Sequence, residues 1–242
     1  MALKAYAGGR LFAHVHGEGP PDVVALHGWA RSGADFDRTL AGLSALAFDL
    51  PGFGASAPPP RRCGALGYAE MLVPALADNE RPPVLVGHSF GGRVAVKLAA
   101  LIDVAGLILT GVPLVRGGPT RRPSASFRLA RLANRVGVLG DERMEELRRS
   151  RGSADYRAAT GVMRDVLVTV VGETYEAELA ALAVPVHLVW GSEDREVPPS
   201  VAERADALVQ HGHLTVLPGI GHHVPLEAPA ALRAAIETMI RQ

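Results

Sequence analysis

Ser89 lies in the sequence segment with the clearest chemical signature, the pentapeptide GHSFG at residues 87–91. An apolar run at 84–86 precedes it, and a helical pattern from 92 to 102 follows it. Strand, sharp turn and helix with a serine at the apex is the layout of a nucleophile elbow, in which glycines allow backbones to approach closely. The serine hydroxyl of such a turn projects above the strand ends. The pattern therefore predicts that Ser89 is a nucleophile.

A serine hydroxyl is a weak nucleophile at neutral pH, so it needs an adjacent base and an acid that orients that base. Candidates for both follow later apolar strands, in the order Ser, Asp, His that this arrangement uses. Asp194 is the predicted acid, with Glu193 as an alternative, and Asp194 could instead cap the helix that follows it. His222 is the predicted base because it follows a tight Gly-x-Gly turn, with His223 as an alternative.

Nucleophilic attack on a carbonyl group also requires hydrogen-bond donors for the negative charge that develops on its oxygen. The backbone N–H groups of Trp29 and Phe90 are the predicted oxyanion hole: Trp29 follows the apolar run at 23–26, and Phe90 follows the proposed nucleophile. His27 and His88 are expected to be buried structural residues rather than catalytic ones.

Composition limits the classes of protein to consider. The chain has 242 residues, 48% of them hydrophobic and 21% charged, with a formal net charge of +0, which is typical of a soluble globular domain and gives no support for nucleic acid or membrane partners. Cys63 is the single cysteine, the N-terminus lacks the apolar core of a signal peptide, and no metal-ligand spacing occurs. We expect a cytoplasmic monomer or homodimer that acts on a small molecule and holds no metal.

The order of apolar segments predicts the fold. Short apolar strands alternate with helical patterns, which favours a parallel sheet with helices on both faces. Predicted strands are 11–16 (an edge strand), 23–27, 46–49, 84–86, 107–111, 184–190 and 214–217. Predicted helices are 32–46, 67–79, 92–102, 199–209 and 228–240, with a Pro/Arg loop at 57–64.

The alternation stops at residues 114–175, where helical patterns occur without a buried strand, including an amphipathic segment at 127–136. Between 114 and 165 there are twelve arginines and six acidic residues, a difference of +6. One interpretation is the solvated face of amphipathic helices. The other is a lid that attracts anionic substrates. For the lid, the predicted substrate-binding residues are Arg116, Arg121, Arg122, Arg128 and Arg131.

Taken together, these motifs resemble the α/β-hydrolase superfamily, in its small, single-chain, serine esterase-like branch with a helical cap. The segments that carry the resemblance are LHGW at 26–29, DLPGFGAS at 49–56, GHSFGG at 87–92, GSED at 191–194 and GHHVPLE at 221–227. The resemblance implies a mostly parallel eight-stranded sheet, an active site under the cap and no cofactor. It divides the chain into a core of residues 1–113 and 176–242 and a cap of residues 114–175. The family's histidine is followed five positions later by Glu, which matches His222 and Glu227.

Differences between this sequence and particular groups of that superfamily reduce the number of functions to consider. A serine stands where haloalkane dehalogenases and epoxide hydrolases have an Asp nucleophile, and the segment HGW lacks the glycine-rich oxyanion loop of hormone-sensitive-lipase-like esterases. The elbow also differs from that of proline iminopeptidases. Carboxylesterases that cleave pimeloyl esters, enol-lactone hydrolases and the menaquinone-pathway synthase remain compatible.

The expected function is hydrolysis of a small carboxylic ester, thioester or lactone through an acyl-enzyme. A lyase or C–C bond hydrolase that uses the same three residues is one alternative. A catalytically weak ligand-binding protein on the same fold is another, although the intact set of catalytic groups disfavours it.

Overall fold

The computed structural model describes residues 2–115 and 154–241, together with the single residues Leu132, Asn134, Gly140 and Arg143. Eight strands form one sheet: β1 Ala2–Tyr6, β2 Leu11–His16, β3 Val23–Leu26, β4 Ala45–Asp49, β5 Val84–His88, β6 Gly106–Thr110, β7 Val186–Gly191 and β8 Gly212–Leu217. Their order across the sheet is β1-β2-β4-β3-β5-β6-β7-β8. The β1–β2 and β2–β4 pairs are antiparallel and the other five are parallel. The predicted fold class, a mostly parallel eight-stranded sheet flanked by helices, is confirmed.

The helices of the described residues, numbered in chain order, are α1 Asp37–Leu40, α2 Ala65–Leu76, α3 Phe90–Leu98, α4 Ala154–Ala158, α5 Gly161–Val171, α6 Glu176–Ala181, α7 Pro199–Asp206, α8 Val224–Glu227 and α9 Pro229–Ile240. Apolar residues at helical spacing explain why the longer ones pack on the sheet. In α9, for example, Leu232, Ile236 and Met239 share one buried face.

Side chains alternate between two hydrophobic layers, one on each face of the sheet. Val24 and Leu26 of β3 pack in the layer that contains buried residues of α2, α3 and α7. Val23 and Ala25 of the same strand pack in the other layer, which contains buried residues of α1 and α9. Because helices cover both faces, all four β3 residues are buried, and the strand has a continuous apolar sequence rather than an alternating one.

The prediction that residues 11–16 form an edge strand is wrong. This strand, β2, pairs with β1 on one side and with β4 on the other, and β1 is the edge. Burial alternates along β2 as predicted at Leu11 and Ala13. Such alternation reports which side chains enter the core, but it does not report whether both sides of the backbone are hydrogen-bonded.

The helix predicted over residues 32–46 is also wrong in its extent. A 3₁₀ turn at Gly33–Phe36 leads into α1, which ends at Leu40. Gly42 then has a positive φ of 79°, and Ala45 and Leu46 already belong to β4. Pairing with both β2 and β3 outweighs the helical pattern of these residues, since a strand inside the sheet has hydrogen bonds on both sides.

Between β6 and β7, the described residues form α4, α5 and α6 and no strand. The helical pattern predicted for residues 154–175 is therefore observed. The amphipathic segment 127–136 lies outside the described residues, apart from Leu132 and Asn134. The division into core and cap stays a prediction.

Among the residues that the structure describes, no helix is both long and apolar enough to cross a membrane. The same residues contain no group of three or more His, Cys, Asp or Glu side chains that could hold a metal ion.

Because α3 and β3 are in close contact at Gly91, we expect any side chain at this position to destabilise the fold. A Cβ added at Gly91 would overlap the carbonyl group of Leu26, so Gly91→Ala should lower the free energy of unfolding by about 1–3 kcal/mol. Gly172 is the matched control, because its φ is −84° and a Cβ there would meet its nearest neighbour at 3.4 Å. Gly172→Ala should change the free energy by less than about 0.5 kcal/mol. Urea denaturation of both variants measures the difference, and equal values would contradict the packing described for Gly91.

Candidate active site

Ser89 occupies a strained turn between β5 and α3. Its φ of 49° and ψ of −112° lie in a region that side chains rarely adopt. The turn is tied to the neighbouring strand, because the Ser89 N–H donates to the Thr110 carbonyl of β6 at 2.9 Å. The Ser89 carbonyl accepts the N–H of Gly92 at 3.1 Å, which starts α3 directly after the turn. The predicted elbow is therefore present, with a partly exposed serine at its apex.

Glycines make this turn possible because the backbones on both sides touch. A Cβ on Gly87 would overlap the backbone of Gly92. On the neighbouring loop, a Cβ on Gly28 would lie 2.8 Å from Nδ1 of His88 and 3.5 Å from Cβ of Ser89. The loop after β3 therefore passes directly against the elbow.

Asp194 and His222 meet across the carboxyl ends of β7 and β8. Nδ1 of His222 lies 2.8 Å from Oδ2 of Asp194, and both side chains are buried. The other oxygen, Oδ1, accepts the N–H groups of Glu196 at 2.9 Å and Val197 at 2.8 Å. These bonds fix the carboxylate, so that Oδ2 faces the imidazole and orients it.

Neither Glu193 nor His223, the two alternatives from the sequence, takes part in the contact between Asp194 and His222. Glu193 is exposed and donates its N–H to the Ile220 carbonyl at 2.9 Å. The His223 N–H donates to Oε1 of Glu227 at 2.9 Å. The geometry therefore favours Asp194 and His222 over the alternatives that the sequence left open.

Two further side chains hold the backbone of His222. Glu227 accepts the N–H of Gly221 at 2.8 Å in addition to that of His223, so one carboxylate ties both neighbours of the histidine. His88 lies on the other side, and its Nε2 donates to the carbonyl of His222 at 3.1 Å. The ring centroids of His88 and His222 are 4.9 Å apart, which places the residue next to Ser89 against the predicted base.

Trp29 and Phe90, the predicted oxyanion-hole residues, belong to an aromatic cluster beside the elbow. The ring centroids of Trp29 are 4.9 Å from Phe53 and 5.4 Å from Phe90, and Tyr68 lies 4.9 Å from Phe90, all in edge-to-face contacts. Phe90 begins α3, so its N–H belongs to the first turn, where a helix has no carbonyl of its own to offer. Met163 of α5 contacts the Tyr68 hydroxyl through its sulfur at 3.8 Å. The site thus has an apolar wall that extends to α5.

The histidines around the site differ in pKa. Burial lowers the pKa of His27 to about 4 and that of His88 to about 3, so both are neutral at physiological pH. His27 has a structural role, as expected, since its Nε2 accepts the Leu50 N–H at 2.9 Å. For His222, burial lowers the pKa. The hydrogen bond and the charge of Asp194, together with the charges of Glu196 and Glu227, raise the pKa by more than burial lowers it. The net pKa of His222 lies above its ordinary value.

Sequence reasoning missed one charged group at the site. Oε2 of Glu196 lies 3.6 Å from Nε2 of His222, the nitrogen that faces away from Asp194. The only available signal was its position, two residues after the predicted acid. The five predicted substrate-binding arginines, Arg116, Arg121, Arg122, Arg128 and Arg131, lie outside the described residues, and their assignment stays a sequence prediction.

A cavity of about 510 Å³ lies elsewhere, between β7, β8 and α9. Three histidines, two threonines and apolar residues line it, and Ser89, Asp194 and His222 are not among its lining residues. The strained turn and the His222–Asp194 contact therefore lie outside this cavity.

Comparison with known proteins gives the class of this protein. The model of the alpha/beta hydrolase family matches residues 23–235, and the chain belongs to this family. It is 30% identical to the magnesium-chelatase 30 kDa subunit of Rhodobacter capsulatus, over 84% of this chain and 80% of that protein. It is 28% identical to the pimeloyl-[acyl-carrier protein] methyl ester esterase of Edwardsiella ictaluri, over 93% of this chain and 95% of that protein.

Similarity to solved structures agrees with this fold. A thermophilic esterase from Thermogutta terrifontis superposes with a TM-score of 0.71, covering 98% of this chain and 95% of that one, at 22% sequence identity. At this level of identity the likeness concerns the fold alone.

The buried neutral histidines predict how stability depends on pH. Unfolded histidines take up protons near pH 6.5, whereas folded His27 and His88 do so only near pH 4 and 3. The unfolded chain therefore binds more protons below pH 6.5, and the free energy of unfolding should fall between pH 7 and 5, by at most about 1.4 kcal/mol per pH unit for each histidine. His222, whose pKa is raised, acts in the opposite direction: its stabilisation is complete below pH 6.5 and is lost as pH rises through its folded pKa.

Urea denaturation at several pH values measures this dependence. His88→Gln keeps a side-chain N–H donor but cannot take up a proton when unfolded, so its stability should fall less steeply with acidification. Equal slopes for His88→Gln and the wild type would contradict the assignment of a neutral, buried His88.

Proposed function

We propose that this protein is a serine hydrolase that cleaves a small carboxylic ester, thioester or lactone through an acyl-enzyme. The observation that carries the proposal is the buried His222–Asp194 contact beside the strained turn that presents Ser89. A nucleophile, a base and an orienting acid are the groups that this reaction requires.

In the proposed mechanism, Oγ of Ser89 attacks the acyl carbon while Nε2 of His222 takes the hydroxyl proton. The imidazolium then gives this proton to the leaving alcohol, thiol or lactone oxygen, and the acyl group stays on Ser89. Water attacks the acyl-enzyme with His222 again as the base, which releases the acid and restores the serine. Asp194 remains ionised throughout and stabilises the imidazolium through Nδ1.

The backbone N–H groups of Trp29 and Phe90 are the proposed donors to the oxyanion of the tetrahedral intermediates. Two observations support this assignment. The loop that carries Trp29 passes within contact distance of Ser89 at Gly28, and Phe90 begins the helix after the nucleophile. Donors fixed in the backbone need no rearrangement when charge develops, which is why such sites accelerate acyl transfer.

The substrate class is supported by the relatives and by the lining of the site. One relative is an esterase for a methyl ester, and the partly exposed rings of Trp29 and Phe53, which pack beside Phe90, favour an apolar acyl chain. A chain-length series of p-nitrophenyl esters, each with and without a terminal carboxylate, would define the acyl group. The matched anionic esters would also test whether the arginines predicted to form a lid, between residues 114 and 165, attract anionic substrates.

The burst phase with p-nitrophenyl acetate separates the candidate functions. An acyl-enzyme mechanism predicts rapid release of one equivalent of p-nitrophenol, followed by steady turnover when deacylation is slower. Absence of both phases, and of a Ser89 acetyl adduct in the mass spectrum, would overturn the hydrolase proposal and favour a ligand-binding protein. Turnover without an adduct, retained when Ser89 is replaced, would contradict covalent catalysis by Ser89.

Ser89→Ala should abolish esterase turnover while the fold is kept. No other group in the proposed mechanism can form the acyl-enzyme, so kcat should fall on the order of 10⁶-fold, as when a serine-hydrolase nucleophile is removed. Circular dichroism and urea denaturation provide the control for folding. More than a few per cent of activity in the purified variant would contradict covalent catalysis by Ser89.

His222→Ala should reduce kcat almost as much as Ser89→Ala, because the serine then loses its base. Asp194→Asn should be less damaging, by about 10⁴-fold, since the acid orients the imidazole and stabilises its cation but does not itself accept the proton. His223→Ala is the matched control and should retain most activity. A severe loss in His223→Ala together with a mild loss in His222→Ala would reverse the assignment of the base.

A further inference from the structure

Glu196 is the charged side chain on the open side of His222. Its backbone N–H donates to Oδ1 of Asp194 at 2.9 Å, which fixes the start of the side chain within the β7–α7 loop. Its carboxylate extends to the other ring nitrogen, with Oε2 3.6 Å from Nε2 of His222. The Glu196 side chain is 67% exposed, whereas that of His222 is only 6% exposed. The imidazole therefore lies between a buried carboxylate and a solvent-facing one.

The two nitrogens of His222 have different tasks in the proposed reaction. Nδ1 is bound to Asp194, so Nε2 must carry the proton from Ser89 to the leaving group. A charge near Nε2 therefore faces the alcohol part of the ester rather than its acyl part. We propose that Glu196 selects the charge of the leaving group, favouring esters of cationic alcohols over neutral ones and neutral ones over anionic ones. This inference rests on the proposed serine hydrolase function.

The other titratable groups that the structure describes around His222 are engaged elsewhere. Asp194 is buried and engaged with Nδ1 and two backbone N–H groups. Glu227 binds the N–H groups of Gly221 and His223, on the backbone side of the loop. His88 and His223 pack against the imidazole as rings, with centroids 4.9 and 5.3 Å away. Glu196 thus combines a negative charge, exposure to an incoming substrate and proximity to Nε2.

The expected size of the effect follows from the exposure of Glu196. Solvent screens an exposed ion pair, so one such contact changes a rate or affinity by about two- to fivefold. The effect should also decrease with added salt, since the Debye length falls to about 3 Å at 1 M. Such a contact therefore adjusts specificity and does not decide whether the reaction occurs.

Three acetate esters test the inference, because they share one acyl group and differ only in the alcohol. Acetylcholine carries a cationic alcohol, 3,3-dimethylbutyl acetate is its uncharged isostere, and O-acetylglycolate carries an anionic one. In the wild type, kcat/KM should decrease in that order. Glu196→Gln should lower the ratio of acetylcholine to 3,3-dimethylbutyl acetate about threefold and raise the relative rate of O-acetylglycolate.

Glu193→Gln is the matched control, because it removes the same charge from an exposed position of the same loop. Its ratios should equal those of the wild type, and 1 M salt should remove most of the difference between the wild type and Glu196→Gln. Unchanged ratios in an active Glu196→Gln would overturn the inference and leave the hydrolase function intact. Absence of Ser89-dependent acetate release from all three esters would instead overturn the proposed function.

A second measurement tests the contact without turnover. Proton NMR of the His222 ring gives its pKa in the resting protein, where a nearby negative charge stabilises the imidazolium. Removal of that charge in Glu196→Gln should lower the His222 pKa, while Glu193→Gln should leave it unchanged. Equal pKa values in Glu196→Gln and the wild type would overturn the contact on which the inference depends.

Discussion

The strained turn at Ser89 is the constraint on which the rest of the site depends. A backbone conformation of this kind costs about 1–3 kcal/mol and persists only where its surroundings fix it. Here β3 and β6 flank β5, the Ser89 N–H is bound to Thr110, and glycines at 87 and 91 allow neighbouring backbones to touch. The parallel sheet thus provides the stability that the strained serine requires.

Buried polar side chains extend this rigidity to the loops around the turn. His27 joins the loop after β3 to the segment after β4, His88 holds the carbonyl of His222, and Glu227 binds the N–H groups on either side of that histidine. Both His27 and His88 stay neutral because burial disfavours their charged form. Asp194 and Glu196 can then act on an imidazole whose position is already fixed, one from the core and one from solvent.

Local sequence patterns predicted most of the fold. The predictions that were wrong concern segments whose structure is decided by strand pairing. Continuous apolar runs predicted the buried strands β3, β5 and β6, because helices cover both faces of the sheet there. Local pattern failed at β1, which was not predicted and which makes β2 an internal strand. It failed again at residues 41–46, where an apparent helix gives way to a strand held by two neighbours. Hydrogen bonding between distant segments leaves little trace in the local sequence.

For the site, the sequence by itself determined the residue types, their chain order and the turns that present them: Ser89 in its elbow, an acid after one strand and a histidine after the next. It favoured Asp194 over Glu193 and His222 over His223 but left both alternatives open, since neighbours share nearly the same sequence context. The tertiary structure adds the contact between Asp194 and His222, because the direction of each side chain is set by packing and by hydrogen bonds from remote segments. For the same reason only the tertiary structure brought Glu196 to the open side of His222.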